Sequence, residues 1–155
     1  MMTLSQTTGY AIHALSWLEN NEVRLIRDVA RLTGIPQPYL AKIINKLGRC
    51  NIVASRRGHG GGIGLLRAPE EITLMEIVEA IEGKEWIAHC LLGLDDCAAR
   101  GICPVPIVAT WRHIREEIEK TLRETTLAEV IAYRKQTTGG KPTGADSRNA
   151  ACGCG

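Results

Sequence analysis

The sequence IVASRRGHGGGIGLL, residues 52–66, places a basic, glycine-rich centre between two short apolar segments. Apolar and β-branched residues on both sides predict two strands, and the glycines permit the positive φ angles that a tight hairpin requires. Arg56, Arg57 and His59 lie in the connecting loop. A nucleotide-phosphate loop is disfavoured, because the segment neither matches a Walker pattern nor leads into a helix.

Three helices are predicted before this hairpin, and the first two form a pair at the N-terminal end. The first has one apolar face, formed by Ala11, Ala14, Leu15 and Leu18. Asn20 and Asn21 are expected to end it. The second helix is short and lies around Ile26, and Gly34 supplies the left-handed residue that commonly stops a helix.

A third helix is predicted from Gln37 onward, directly before the hairpin. Its apolar face consists of Leu40, Ile43, Ile44 and Leu47. A short helix, a glycine-containing turn and a second helix with a basic outer face are typical of a helix-turn-helix, whose second helix enters the major groove of DNA. The alternative is a three-helix bundle with a solvated basic face. The hairpin favours the first interpretation, since a hairpin after a recognition helix is a wing.

Together these motifs resemble the Rrf2 family of transcriptional regulators. The resemblance lies in Leu4-Ser5 with Tyr10-Ala11-Ile12, in the turn from Ile35-Pro36 to Tyr39-Leu40, and in residues 55–62. It covers about residues 2–135. It implies a mainly α fold: a winged helix-turn-helix with a small β wing and a long C-terminal dimerisation helix, acting as a homodimer on double-stranded DNA. Asn51 departs from the family, whose members usually have a glycine before the wing.

The side chains expected to bind DNA come from the third helix and the wing. They are Gln37, Tyr39, Lys42, Asn45, Lys46, Arg56, Arg57 and His59. Lysine and arginine suit phosphate and groove contacts, whereas Gln37 and Asn45 can read base edges. The resemblance places Arg57 at the wing-arginine position of the family.

A further helix is predicted after the hairpin, because Thr73-Leu74-Met75-Glu76 has the form of a capping box. This helix is expected to end at Gly83.

Three cysteines follow this helix. Cys90, Cys97 and Cys103 are separated by six and five residues in a stretch without helical or strand periodicity. Thiolates bind both iron-sulfur clusters and zinc, and this spacing alone does not separate the two.

The family resemblance favours an iron-sulfur cluster, either [2Fe-2S] or [4Fe-4S], held by these three cysteines. Rrf2 sensors of iron-sulfur status, nitric oxide and iron carry three cysteines at similar positions. The alternative is a set of reduced, cluster-free thiols. Pro106 and Gly9 stand where relatives have a histidine or an acidic fourth ligand. The fourth ligand therefore stays open among His89, Asp95, Asp96, His113, Thr8, an exogenous thiol or water, and the tail residues Cys152 and Cys154.

The C-terminal part is predicted to contain a dimerisation helix. Its apolar seam consists of Ile107, Trp111, Ile114 and Ile118, with charged residues between them. Burial against its own domain is the alternative. A last helix opens at Thr126 and is expected to fade near Arg134, and the composition from Thr137 onward predicts a disordered tail.

The predicted organisation therefore has four parts. Residues 1–84 form the DNA-binding domain, 85–104 the cysteine-containing cluster loop, 105–136 the dimerisation helix and the last short helix, and 137–155 the tail that ends in Cys-Gly-Cys-Gly.

Composition and charge are consistent with this division. Residues 1–70 carry nine Lys/Arg against four Asp/Glu, and residues 71–138 carry eight against twelve. A basic half suits a nucleic-acid partner. The chain lacks the roughly 20 consecutive apolar residues of a membrane span and a secretory signal, so we expect a cytoplasmic protein with no membrane partner. Cys50 stands apart from the other cysteines and is expected to be a small core residue.

The sequence thus predicts a dimeric transcriptional regulator, a repressor, whose operator binding is controlled by an iron-sulfur cluster on Cys90, Cys97 and Cys103. The alternative is a cluster-free regulator that senses redox state through the same thiols. An enzyme is disfavoured, because no cofactor loop, carboxylate pair or nucleophile-base arrangement accompanies the Cys152 and Cys154 pair.

Overall fold

The computed structural model describes residues 4–19, 22–93, 100–102 and 104–139. The helices are α1 (Gln6–Leu15), α2 (Ile26–Thr33), α3 (Gln37–Arg49), α4 (Leu74–Glu82), α5 (Val105–Glu124) and α6 (Leu127–Gly139). Two strands, β1 (Val53–Arg56) and β2 (Gly62–Leu65), follow α3, and a short 3-10 turn occupies Pro69–Glu71. This is the predicted winged helix-turn-helix with a small β wing and a long helix behind it.

The helix-turn-helix is built by burial of one face of each helix. The predicted apolar residues of α3 are all buried, and they pack with α1, α4 and the first residues of the wing in one hydrophobic core. Gly34 ends α2 with a φ of 71°, as its position predicted. Pro36 is the N-cap of α3, and Pro38 lies in the first turn, where its fixed φ suits a helix and its missing N–H removes no helical hydrogen bond.

The wing is a two-stranded antiparallel sheet in which Val53 pairs with Leu65 and Arg56 with Gly62. A third backbone segment lies along β2, because Arg24 and Ile63 exchange two hydrogen bonds of 2.9 and 2.8 Å. Glycine is required at position 62, since a Cβ there would lie 2.5 Å from the carbonyl oxygen of Arg24. The start of β2, next to the wing loop, is thereby fixed to the segment that leads into α2.

The helix α4 packs on the winged domain as expected. The predicted capping box is present: Thr73 Oγ1 accepts from the Glu76 backbone N–H at 3.2 Å, and the Thr73 backbone N–H donates to Glu76 at 2.9 Å. Backbone hydrogen bonds from Leu74 to Thr125 and from Leu127 to Ile72 tie the junction of α5 and α6 to the start of this helix. The long helix therefore begins at the cysteine segment and ends back against the domain.

Two helix ends differ from the prediction. Helix α1 ends at Leu15, because Trp17 and Leu18 donate to carbonyls three residues back in tighter turns, yet Leu18 stays buried. Helix α6 continues past Arg134 to Gly139. The rest of the predicted tail, from residue 140 onward, lies outside the described residues.

The expectation for Cys50 is wrong, because its side chain is exposed. Cys50 caps the C-terminus of α3, where the chain leaves the helix and turns outward before re-entering the core at Ile52. Asn51 between them adopts a φ of 56°. This left-handed conformation explains why a glycine is usual before the wing, and asparagine is among the few other residues that adopt it readily.

We expect Asn51→Ala to destabilise the protein by about 1 kcal/mol, because a Cβ without a local hydrogen-bonding group disfavours the left-handed conformation. Asn51→Gly should be neutral or stabilising. Urea unfolding followed by circular dichroism measures both free energies. Equal stability of the alanine and glycine variants would contradict the strain assigned to this turn.

Candidate functional site

The outer face of α3 presents the polar residues that the sequence singled out. Gln37, Lys42 and Asn45 are exposed on it. Arg49, which the sequence analysis did not select, is exposed one turn after Asn45 at a spacing of four residues. The helical spacing of Lys42, Asn45 and Arg49 could have revealed this residue. The face that α3 turns away from its core is therefore basic and polar over its last two turns.

Tyr39 supports α3 from the inside rather than lying on this face. Its side chain is half-buried, and its hydroxyl lies 2.5 Å from Thr7 Oγ1. The ring packs edge-on against Tyr10, with centroids 5.9 Å apart. Tyr39 thus fixes the start of α3 to α1.

Lys46 is exposed, but its ammonium group also makes a hydrogen bond within the protein. Its Nζ donates to the carbonyl oxygen of Ile81 at 3.3 Å, at the C-terminal end of α4. A cation at this end of a helix satisfies a free carbonyl and opposes the negative end of the helix dipole. Lys46 therefore joins α3 to α4, although it is only four residues from Lys42.

The wing loop projects Arg56, Arg57 and His59, all exposed, from the end of the hairpin. Gly58 and Gly60 have φ angles of 97° and 76°, and the Gly61 N–H donates to the Gly58 carbonyl at 2.9 Å. The loop closes against the start of α2. The residues that line this cleft are Leu25, Ile26, Arg27, Gly58, His59 and Gly60.

Arg27 is a second cation that the sequence analysis did not select. It is exposed in the first turn of α2, beside His59 of the wing loop. The N-terminal end of a helix attracts anions, and a nearby arginine adds to that attraction. Arg27 and His59 come together only because the wing loop folds back onto α2. They are far apart in the sequence, so no local pattern could have indicated that they share one surface.

The carboxylate of Glu82, the last residue of α4, is bound by the first turn of α1. It accepts from the Ser5 backbone N–H at 2.8 Å and from the hydroxyl of Thr8, which is fully buried. Partial burial favours the neutral acid, but the hydrogen bonds from Ser5 and Thr8 and the charge of Lys46 outweigh it. The net result is a pKa of Glu82 below its usual value.

The cysteine segment leaves α4 at Gly83, directly after this carboxylate. Cys90 is half-buried in a turn in which the Gly93 N–H donates to the Cys90 carbonyl at 2.9 Å. The Leu92 N–H donates to the Cys90 sulfur at 3.4 Å. Backbone N–H donors to sulfur stabilise a thiolate, and they accompany the cysteine ligands of iron-sulfur clusters. Cys90 therefore fits a role as a cluster ligand.

Cys97 and Cys103, the other two predicted ligands, lie outside the described residues, as do Asp95, Asp96 and the tail cysteines. Within the ranges that are described, no three His, Cys, Asp or Glu side chains gather where they could hold a metal ion. Thr8 is committed to Glu82, and His113 is exposed on α5.

The residues before Cys90 are bound to α5. Trp111, 6% exposed, donates from Nε1 to the Ala88 carbonyl at 3.0 Å. The Arg115 guanidinium lies 2.9 Å from Nδ1 of His89. Of the predicted seam on α5, Trp111 is therefore buried within its own chain, Ile107 and Ile118 are half-buried, and Ile114 is exposed.

The chain matches the family model of Rrf2, described as an iron-dependent transcriptional regulator, over residues 4–133. The chain therefore belongs to the Rrf2 family, and the expectation of a transcriptional regulator rather than an enzyme is confirmed. The transcriptional repressor NsrR of Streptomyces coelicolor is 28% identical over 135 residues, which cover 84% of this chain and 89% of that protein.

Solved structures agree on the fold. CymR, the global cysteine regulator of B. subtilis, superposes with a TM-score of 0.70 at 24% identity, and the match covers 86% of this chain and 98% of the CymR chain. IscR of T. potens superposes with a TM-score of 0.67 at 23% identity, covering 90% and 93%. None of the helices in the described part of the chain is both long and apolar enough to cross a membrane.

We expect Glu82→Gln to destabilise the protein at neutral pH. The neutral amide would replace a carboxylate whose negative charge is stabilised by the hydrogen bonds from Ser5 and Thr8 and by the charge of Lys46. A carboxyl whose pKa is lowered in the folded state contributes stability above its unfolded pKa and loses it as the pH falls through the folded value. The difference between wild type and variant should therefore be full at pH 7 and shrink below the usual value of 4.5.

Urea unfolding at several pH values measures this difference. The control is Glu70→Gln, which removes an exposed carboxylate from the 3-10 turn. A pH-independent cost of Glu82→Gln would show that the carboxylate's charge contributes nothing.

Proposed function

We propose that this Rrf2 regulator is a homodimeric repressor whose operator binding is controlled by an iron-sulfur cluster on Cys90, Cys97 and Cys103. The environment of Cys90 is the main support for this proposal. This cysteine accepts the backbone N–H of Leu92, the two residues before it are bound to α5, and the segment that contains it starts directly after Glu82. The iron-dependent description of the family supports the same conclusion.

DNA binding is assigned to the outer face of α3 and to the wing. Lys42 and Arg49 would contact phosphates, Gln37 and Asn45 would read base edges, and Arg57 would enter a groove beside the recognition helix. Arg56, Arg27 and His59 extend the same basic surface. Tyr39 and Lys46, in contrast, would act indirectly, by holding α3 against α1 and α4.

Dimerisation is assigned to the first half of α5. Val105 is 80% exposed at its start, and an apolar groove beside it is lined by Leu91, Pro106, Ile107, Thr110, Trp111 and Ile114. An apolar surface flanked by charged residues suits a second copy of the same helix. Two recognition helices would then meet a palindromic operator on one side of the DNA.

The cluster would control DNA binding through the contacts that join α4 to α1 and α3 within the DNA-binding domain. The cysteine segment begins directly after Glu82, so a change in its conformation would act on that residue first. Glu82 and Lys46 connect the end of α4 with α1 and α3. Such control requires that the two forms differ in affinity for the operator, because a ligand that favours neither form shifts no equilibrium.

The second candidate is a cluster-free regulator that oxidises the same thiols. The likeness to CymR, a cysteine regulator, favours this alternative, since its fold matches as well as that of IscR. Anaerobic purification followed by visible spectroscopy and iron and sulfide analysis separates the candidates. A coloured protein with iron and sulfide supports the cluster, whereas a colourless protein that loses thiols reversibly supports the alternative.

For DNA binding, we expect Arg57→Ala to lower affinity for an operator duplex selected from a random library by the wild type. Loss of one phosphate or groove contact should also reduce the slope of log K against log salt by about one. Fluorescence anisotropy at several salt concentrations measures both quantities. The matched control is Arg123→Ala, at the far end of α5 beside Glu79. Unchanged affinity and slope for Arg57→Ala would contradict the wing assignment.

For the cluster, we expect Cys97→Ala to abolish the visible absorption of the anaerobic protein and leave a folded dimer. Removal of one of three thiolates leaves too few soft ligands to hold the iron. Cys50→Ala is the control, since Cys50 is exposed at the end of α3 and should leave iron and sulfide content unchanged. Full iron content in Cys97→Ala would remove Cys97 from the ligand set.

A further inference from the structure

Two side chains of α5 bind the two residues that precede Cys90. Trp111 Nε1 donates to the Ala88 carbonyl at 3.0 Å, and the Arg115 guanidinium meets His89 Nδ1 at 2.9 Å. Trp111 and Arg115 are four residues apart and therefore lie on one face of the helix. The cysteine segment is thus attached to a rigid helix immediately before its first cysteine.

The bond to His89 has a fixed direction. A guanidinium carries only N–H donors, so the imidazole Nδ1 must accept, and a neutral ring then carries its proton on Nε2. With one nitrogen accepting from Arg115 and the other protonated, the ring has no lone pair left for a metal. In a metal-bound histidine, by contrast, the second ring nitrogen donates to a carboxylate or a carbonyl.

We propose that Arg115 and Trp111 are positioning residues for the iron-sulfur cluster, and that His89 is the residue through which Arg115 acts and not the fourth ligand. The inference rests on the cluster proposed above. Arg115 is partly buried, with a quarter of its side chain exposed and Glu119 Oε1 3.8 Å from its Nε. Partial burial and the charge of Glu119 therefore favour the position from which Arg115 binds His89, although its Nε makes no hydrogen bond among the described residues.

The physical gain is pre-organisation of Cys90. Ordering a flexible segment costs conformational entropy, and a segment ordered before the cluster binds does not pay that cost at binding. The bonds at Ala88 and His89, the turn closed by Gly93 and the N–H from Leu92 together fix the backbone on both sides of the Cys90 sulfur.

The test compares the half-life of the visible absorption when the anaerobic full-length protein is exposed to the iron chelator ferrozine. We expect Arg115→Met, which keeps the aliphatic stem and removes every donor, to shorten the half-life about tenfold, as loss of an outer-shell partner commonly does. Trp111→Phe should act in the same direction. Arg115→Lys, which restores a donor, should recover part of the loss, and Arg123→Met on the same helix should match the wild type.

His89→Ala separates positioning from ligation. A positioning role predicts an unchanged visible spectrum and unchanged iron per chain, with a shortened half-life. The double variant His89→Ala with Arg115→Met should be no faster than either single variant, because both remove one shared bond. An altered spectrum or a loss of iron in His89→Ala would instead make His89 a ligand and overturn the proposal.

Amide hydrogen exchange of the cluster-free protein tests, without iron, whether Arg115 attaches the cysteine segment to α5. Arg115→Met should speed exchange at Leu92 and Gly93 relative to the wild type and to Arg123→Met. Unchanged exchange, or a half-life within twofold of the wild type, would overturn the positioning role. Absence of iron from the wild type would overturn the cluster itself, and the exchange comparison would then show separately whether Arg115 holds the segment.

Discussion

The arrangement of the helices in the DNA-binding domain depends on the hydrogen bonds that the Glu82 carboxylate accepts. Glu82 terminates α4 and binds the first turn of α1, and the neighbouring Lys46 attaches α3 to the same helix end. Tyr39 adds a second connection between α1 and α3. Three helices that bury apolar faces against one another could slide to some extent, but charged hydrogen bonds at defined atoms fix their relative positions. The recognition helix is therefore positioned by polar contacts at the point where the cysteine segment begins.

This arrangement gives the two functional parts of the chain a short physical connection. Gly83 follows Glu82 directly, and the segment then returns to α5 through Ala88 and His89. The start of the segment is consequently held at one end by the DNA-binding head and at the other by the long helix. Under the proposed control, a change in the cysteine segment would act on both, which is the property a ligand-controlled regulator needs.

Much of the fold could be predicted, because its determinants are local. The buried face of α3, the left-handed Gly34, the capping box of Thr73 and Glu76 and the glycine-rich wing each leave a signature within a few residues. The site was predicted less completely, since its contacts are long-range. Lys46 shares a polar helix face with Lys42, and only the contact with Ile81, 35 residues away, shows its structural role. Arg27 and His59 meet only after the wing folds back, and Cys50 is exposed because α3 ends where the chain turns outward.

Under the proposed control, the state of the cysteine segment sets the affinity of the DNA-binding domain for its operator. The most direct measurement takes one anaerobic preparation, removes the cluster from half of it, and compares the dissociation constants of both halves for the same operator duplex at one salt concentration. We expect the two dissociation constants to differ by tenfold or more, which corresponds to about 1.4 kcal/mol of differential binding. Equal dissociation constants for the two forms, both folded and dimeric, would contradict it.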